Sequence, residues 1–278
     1  MPRTPLTIPT RWTLGCTALC VLAAAILVAS ARDLPLFLAL NAATARYLPI
    51  WLPSCLTVLG HGLVAVMLVA PFLHRAPWVL TAALYGALPA SAFSRLGKVL
   101  AARPRPAAIL DPSMIHIQGP VLSGHNSFPS GHSITIFLVV TVIVLGAGRS
   151  APGVAPAAAG RLAPAATLGV LALGLMVAAS RVMVGAHWPS DALGGAALGM
   201  LAGVLGTWGC ARWPLWHWSR GPLLLAIVVL ACAAALPWVD TGYPLAQPVQ
   251  WVTALLGLGC AGAQIVRGLR KTAASSPP

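Results

Sequence analysis

Eight apolar stretches, each close to the length that crosses a bilayer, recur along this 278-residue chain and leave it few folds to choose from. A hydrocarbon core of about 30 Å takes roughly 20 apolar residues in helical form. Lipid offers no partner to a bare peptide group, so only helices or closed barrels cross it. These runs read as helices near Trp12 to Ser30, Ser54 to Phe72, Pro77 to Leu96, His132 to Ala147, Pro164 to Ser180, Asp191 to Trp208, Pro222 to Trp238 and Gln250 to Val266. Only 8% of residues are charged and 58% are hydrophobic, against about 25% charged in soluble domains. Trp12, Trp51, Trp78, Trp208, Trp213, Trp216, Trp218, Trp238 and Trp251 fall at or near proposed ends, as an interfacial aromatic belt requires. The expected fold is all-α: a polytopic transmembrane helix bundle of about eight spans forming one integral membrane domain, 1–278.

The formal charge of +13 does not point to nucleic acid, because no folded soluble face exists to carry a basic patch. The basic residues sit in short connections and tails, where they set the orientation of insertion. The first segment is as long as a full span and is taken as one rather than as a cleaved signal. Cys16, Cys20, Cys55, Cys210, Cys232 and Cys260 lie in or near apolar runs without a CxxC pair and read as packed thiols. Gly148 to Ala165, rich in Ala, Gly and Pro, reads as a flexible connection.

Three polar islands interrupt the hydrocarbon: Lys98 to Pro106 (KVLAARPRP), Pro129 to His132 (PSGH) and Ser180 to Asp191 (SRVMVGAHWPSD). Charge beside hydrocarbon is costly, so such residues gather at sites. The first two islands share one loop, and two crossings separate the second from the third, so parity puts all three at one membrane surface. With both termini inside, Arg3, Arg11, Arg75, Arg149, Arg161, Arg212, Arg220, Arg267, Arg270 and Lys271 lie on the inner side, against Arg32, Arg46, Arg95 and Arg103 outside, away from the islands. The islands are therefore expected to face out, on the periplasmic side of a bacterial inner membrane. The longest loop on that side, Ala108 to Phe128, holds Asp111, His116, His125 and Asn126 and could cover or line a site.

Each island alone has a structural reading: a stop-transfer cluster, a capped helix start, a His/Asp pair. Each also has a chemical one. Pro104 and Pro106 stiffen the turn that presents Arg105, and a rigid guanidinium suits bidentate phosphate binding, with Lys98 adding a point charge. Ser130 is a plausible N-cap, Gly131 permits close approach, and a helix N-terminus binds anions, beside which His132 can donate a proton to a leaving oxygen. His187 and Asp191, four apart, fall on one helical face if that helix starts near Pro189. A carboxylate so placed holds one imidazole nitrogen as N–H and frees the other as a nucleophile. Arg181 adds a further cation. The chain has only four acidic residues, Asp33, Asp111, Asp191 and Asp240, and no Glu, so no carboxylate cluster for Mg²⁺ or Ca²⁺ is expected, nor any other metal or cofactor.

Together the islands resemble the type 2 phosphatidic acid phosphatase (PAP2) superfamily, whose signature is K-x6-RP, then PSGH, then SR-x5-H-x3-D. Here these are Lys98, Arg105, Pro106; Pro129, Ser130, Gly131, His132; and Ser180, Arg181, His187, Asp191. The resemblance spans 98–191, within a family-like core of six helices at about 50–210, and two further C-terminal helices depart from it. It implies a metal-independent lipid phosphatase. His187 is the implied nucleophile and forms a phosphohistidine, Asp191 orients it, and His132 is the acid. Lys98, Arg105, Ser130, Gly131 and Arg181 hold the phosphate. His125 and Asn126 lie outside the motifs as possible substrate contacts. The best expectation for the substrate is undecaprenyl diphosphate or another phosphorylated envelope lipid. The alternatives are a lipid A phosphatase, a lipid-to-lipid phosphotransferase, or a non-enzymatic phosphate-lipid binding or transport protein. Oligomeric state is not fixed by these residues.

Overall fold

The computed structural model describes residues 10–146 and 162–275, and among them the chain is helical, without a strand. The helices run α1 (Thr10–Ala29), α2 (Asp33–Tyr47), α3 (Trp51–Val58), α4 (Gly62–Val69), α5 (Phe72–Arg75), α6 (Pro77–Ala101), α7 (Pro106–Ile109), α8 (Gly131–Gly146), α9 (Pro164–Met183), α10 (Pro189–Arg212), α11 (Gly221–Ala235) and α12 (Gln247–Ser275). Proline opens α6, α9 and α10, where its missing N–H costs nothing and its fixed φ starts the helix. Most of Gly148 to Ala165, with Arg149 and Arg161, lies outside the described residues, as does Arg3.

All eight apolar stretches fall on helices, but they do not all cross alike. Among the described residues five helices are long and apolar enough to span a membrane, six if one bent pair counts as a span, against the eight expected, and α8 is shorter. The bent pair is α3 and α4, which meet at 73° where hydropathy reads a single segment from Ser54 to Phe72. His61 leaves the helix with ψ 137°, and Gly60 lets α8 come close: a Cβ there would stand 2.7 Å from His132 Cβ. The third stretch runs past Leu96 to Ala101, so Arg95 and Lys98 ride on α6 rather than in a loop.

The helix α2 lies outside the predicted stretches. It buries Asp33, Phe37, Asn41 and Thr44, a stripe at helical spacing, and Asn41 binds the backbone of both His116 and Met183. Its composition is too mixed to stand out by hydropathy. The belt residues Trp12, Trp51, Trp208, Trp213, Trp218, Trp238 and Trp251 are exposed, as expected. Trp78 is a correction. It is buried, packs edge-on against Trp216, and donates from Nε1 to the Gly146 carbonyl at 2.8 Å.

At the centre α10 packs against α8, α6 and α1. Lipid tails are as apolar as leucine, so helices in a bilayer gain by close van der Waals approach, which small residues allow. Along the α8 face of α10, Gly195, Gly199 and Gly203 follow at intervals of four. A Cβ at Gly195 would stand 2.7 Å from Ser133 Cβ, at Gly199 2.9 Å from Phe137 Cβ, and at Gly203 2.6 Å from Thr141 Cβ. Gly199→Leu is therefore expected to cost about 3 kcal/mol or more by over-packing. Gly259→Leu, at a glycine with nothing within 4 Å, is expected to be tolerated. Thermal unfolding of the two variants in detergent checks the contrast; equal midpoints would remove this packing account.

Candidate active site

The three islands meet at one end of this bundle, which is what parity requires. α6 ends at Ala101, and Ala102 takes a left-handed conformation (φ 41°) that reverses the chain. The following Arg-Pro-Arg-Pro segment is tied down on both sides. Arg105 N–H donates to the Gly124 carbonyl at 3.1 Å, Ser127 N–H to the Arg103 carbonyl at 3.0 Å, and Trp188 Nε1 to the Pro104 carbonyl at 2.8 Å. PSGH opens α8, with Ser130 Oγ accepting from Ser133 N–H at 3.4 Å, a long N-cap bond. Ser130 N–H also donates to the Asp191 carbonyl at 3.1 Å and so joins the starts of α8 and α10.

His187 precedes α10 and is 2% exposed, while Asp191 sits in the helix's first turn with no exposure. Although α10 starts at Pro189 and leaves His187 in the loop before it, His187 Nδ1 lies 3.6 Å from Asp191 Oδ2. That is longer than a hydrogen bond, and among the described residues Nδ1 has no partner. On the opposite edge Nε2 is 3.4 Å from Arg105 Nη1, which also donates to the Ala186 carbonyl at 3.0 Å. Arg105 Nε donates to Asn126 Oδ1 at 2.8 Å, which fixes the plane of the guanidinium. Burial, reinforced by the Arg181 and Arg105 charges and opposed by Asp191, lowers the His187 pKa to about 4. The imidazole is therefore neutral at physiological pH, with Nε2 directed at a cation.

Asp191 is held from several sides. Oδ2 accepts from Ser127 Oγ at 2.5 Å and from Trp188 N–H at 3.0 Å, and Oδ1 accepts from Arg103 Nη1 at 2.8 Å. The second nitrogen of Arg103 binds Asp33 Oδ2 at 2.6 Å. Arg103, counted from sequence among plain outer-side charges, is thus bonded to two carboxylates.

Arg181, on the last turn of α9, is 3% exposed and donates through Nη1 to Thr57 Oγ1 at 2.5 Å and to the Tyr243 hydroxyl at 2.9 Å. Tyr243 comes from the turn between α11 and α12, the pair of helices beyond the motifs. That turn closes on the long loop through Gly119 (φ 81°) and Gly242 (φ 75°): a Cβ on Gly119 would stand 2.6 Å from the Tyr243 ring, and one on Gly242 2.9 Å from Pro120. The two extra helices therefore contribute a side chain to the site. Arg181 Nε is buried and, among the described residues, without a partner.

Lys98 and His132 lie half-buried on the wall of a cavity of about 460 Å³ between the α3–α4 bend, α6 and α8, together with His61, Ser94, Arg95 and Gly131. Lys98 feels the charges of Arg105 and Arg181, and His132 those of Arg181, His187 and Lys98. Lys98, Arg105, Arg181, Ser130, Gly131, His132, His187 and Asp191 thus form one neighbourhood, with His132 on α8 and His187 in the loop between α9 and α10. His125 is exposed. Sequence reasoning missed Asp33, Thr57, Arg103, Ser127 and Tyr243. Only Asp33 carried a usable signal, as one of four acids in a chain where each must find a partner. Among the described residues no three His, Cys, Asp or Glu side chains gather as a metal site would need.

Such an arrangement suits an anion that carries a reactive centre. Buried cations converge, a neutral imidazole offers a lone pair beside them, and a second imidazole stands on the adjoining wall. Comparison with known proteins agrees in kind. A model of the PAP2 superfamily matches residues 76–219. A lipid A 1-phosphatase of Porphyromonas gingivalis is 37% identical over 83 residues, 30% of this chain and 16% of that protein. Lipid A 1-phosphatases of Rhizobium johnstonii and Rhizobium etli are each 30% identical over 128 residues, 45% of this chain and 38% and 40% of theirs. The matches thus span less than half the length of these curated relatives. The crystal structure of Aquifex aeolicus LpxE aligns with a TM-score of 0.49 and 21% identity, over 63% of this chain and 93% of that one.

Proposed function

The chain belongs to the PAP2 superfamily, and from that premise we propose that it is a membrane lipid phosphatase working through a phosphohistidine on His187. The observation that carries this reading is the placement of the His187 ring, with Nδ1 3.6 Å from a fully buried Asp191 carboxylate and Nε2 3.4 Å from the Arg105 guanidinium. Nε2 attacks phosphorus while Arg105, Arg181 and Lys98 hold the phosphoryl oxygens. His132 gives its proton to the oxygen whose bond to phosphorus breaks. It then takes a proton from the water that attacks the phosphohistidine, and inorganic phosphate leaves. Asp191 approaches Nδ1–H as positive charge develops on the ring.

The substrate class favoured is a phosphorylated glycolipid of the lipid A type. Support comes from the three similar proteins, all lipid A 1-phosphatases. Undecaprenyl diphosphate, the first expectation from sequence, has no such support and becomes a comparison arm. We assign the site to the periplasmic side on the strength of the loop charges alone. The test is phosphate release by the purified full chain in EDTA from lipid A, undecaprenyl diphosphate and phosphatidic acid. Release from lipid A at the highest kcat/KM is expected. No release from any of the three would sink the phosphatase reading.

Tyr243→Phe is expected to lower kcat/KM by about 10-fold or more, because it deletes the acceptor that aims the Arg181 guanidinium, and a hydrogen bond to a charged group is worth about 1.5–3 kcal/mol. Its thermal midpoint should stay close to wild type, since the ring and its packing on Gly119 remain. A wild-type kcat/KM would remove Tyr243 from the site.

A further inference from the structure

Arg103 stands two residues before Arg105, at a position that the K-x6-RP pattern leaves unspecified, yet its contacts lead straight to Asp191. Nη1 donates to Asp191 Oδ1 at 2.8 Å and to Ser190 Oγ at 2.5 Å, and Nη2 donates to Asp33 Oδ2 at 2.6 Å. Asp33 in turn accepts from Ser190 N–H at 3.0 Å and from Ser190 Oγ at 2.5 Å, so the first residue of α2 fastens the first turn of α10. The Arg103 guanidinium carbon also lies 5.5 Å from the centre of the Trp188 ring. With two carboxylates, a hydroxyl and an indole around it, the planar fork has little freedom to turn.

We propose that Arg103, anchored by Asp33, is a positioning residue for the His187–Asp191 pair: it fixes the Asp191 carboxylate by one oxygen so that the other faces His187. The inference rests on the reading of His187 as nucleophile. Asp191 has two oxygens and two tasks. Oδ1 is bound by Arg103, while Oδ2 serves Ser127 Oγ and Trp188 N–H and is the oxygen 3.6 Å from His187 Nδ1. If Oδ1 lost its partner, the carboxylate could rotate about its Cβ–Cγ bond and trade oxygens. The 3.6 Å gap would then no longer be set for closure in the transition state. Arg103 also offsets part of the Asp191 charge. The groups facing His187 are Asp191 on α10, Arg105 from the loop after α6, Arg181 on α9 and His132 on α8. A bare Asp191 carboxylate would draw a proton onto His187 and remove the lone pair that attacks. With Arg103 in place the carboxylate orients the ring while leaving it neutral.

The competing account is that Arg103 merely balances the buried charge of Asp33. Steady-state kinetics on the phosphorylated lipid that the wild type turns over, with R103A, R103K and R103A/D33N, separate the two. Positioning predicts a kcat lower by about 100-fold in R103A with KM unchanged, because Arg103 does not touch the lipid and a small misplacement of a catalytic group costs that much. It also predicts that R103A/D33N, with no orphaned carboxylate at position 33, regains the wild-type thermal midpoint but not its kcat. Balancing predicts that the double variant regains both, and that result overturns the proposal. Where R103A does not fold, R103K carries the same decision. A single ammonium cannot bridge both carboxylates, so a lowered kcat at constant KM supports positioning and a wild-type kcat overturns it. A parallel rise in KM would make Arg103 a lipid contact and also overturn it. A wild-type chain inert toward every lipid sinks the phosphatase reading itself, whereas an active wild type with an indifferent Arg103 sinks only this proposal.

Discussion

Replacing His187 with alanine is expected to lower phosphate release by about 10⁶-fold, the scale seen when a nucleophile is removed from a site whose members act as a unit. His187 lies between a buried carboxylate and a guanidinium, and no second histidine shares that placement: His132 stands half-buried on the cavity wall and His125 is exposed. Arg105, Arg181 and Lys98 remain in His187→Ala, so the variant should still bind lipid phosphate. Competition by inorganic phosphate or by unreactive substrate analogues is therefore expected to persist while turnover disappears. Rapid acid-free quenching of wild type with labelled substrate should trap a phosphoryl group on the protein, and the same treatment of His187→Ala should trap none. Turnover within a few-fold of wild type, or label retained by the variant, would make another residue the nucleophile. His132→Ala is a useful partner to this measurement. It removes the proposed proton donor but not the proposed nucleophile, so it should slow turnover by roughly 10²- to 10⁴-fold without abolishing labelling.

The parts legible in the sequence are those written locally. Apolar runs of bilayer length mark helices whatever they pack against, and the Pro at the start of α6, α9 and α10 marks where three of them begin. The motif residues are legible because charge stands out against hydrocarbon and because His187 and Asp191 stand four residues apart around the start of α10. What the sequence hides is tertiary. Asp33 reaches Ser190 across 157 positions, Arg181 reaches Thr57 across 124 and Tyr243 across 62, and no spacing rule relates such pairs. The bend at Gly60 and His61 is hidden for another reason: both arms are apolar, so hydropathy sums across the Gly60-His61-Gly62 step at which the chain turns and α8 comes close. Trp78 shows the same limit. A tryptophan near a helix end suits either an interface or a core, and the Gly146 carbonyl and the Trp216 ring decide for the core.

Arg105→Ala is expected to lower kcat/KM by about 10²- to 10⁴-fold and to move the acid limb of its pH profile upward. The rate term comes from the fork. Arg105 is held by Asn126 through Nε and by the Ala186 carbonyl through Nη1, which leaves the guanidinium beside His187 Nε2, where the transferring phosphoryl group must pass. Hydrogen bonds to charged groups are worth about 1.5–3 kcal/mol each, and two lost in the transition state give that range. The pH term follows from His187, whose pKa is about 4. Only the neutral ring can attack, so on the acid side kcat/KM rises with pH through that value, while the fall on the alkaline side belongs to His132, which must carry the proton it gives. Burial is the largest cause of the depression and survives the substitution, while the Arg105 charge is one of the lesser causes and does not. The limb should therefore move up from about 4 but stop short of the ordinary histidine value of about 6.5. Arg105→Lys separates the two effects. It keeps a cation near His187 and so should hold the limb near its wild-type position, yet an ammonium cannot supply the planar pair of donors, and the plateau should stay depressed. A lysine variant with both the limb and the plateau of wild type would mean that Arg105 acts as a charge alone. A limb unmoved in Arg105→Ala would mean that the group titrating on the acid side is not His187.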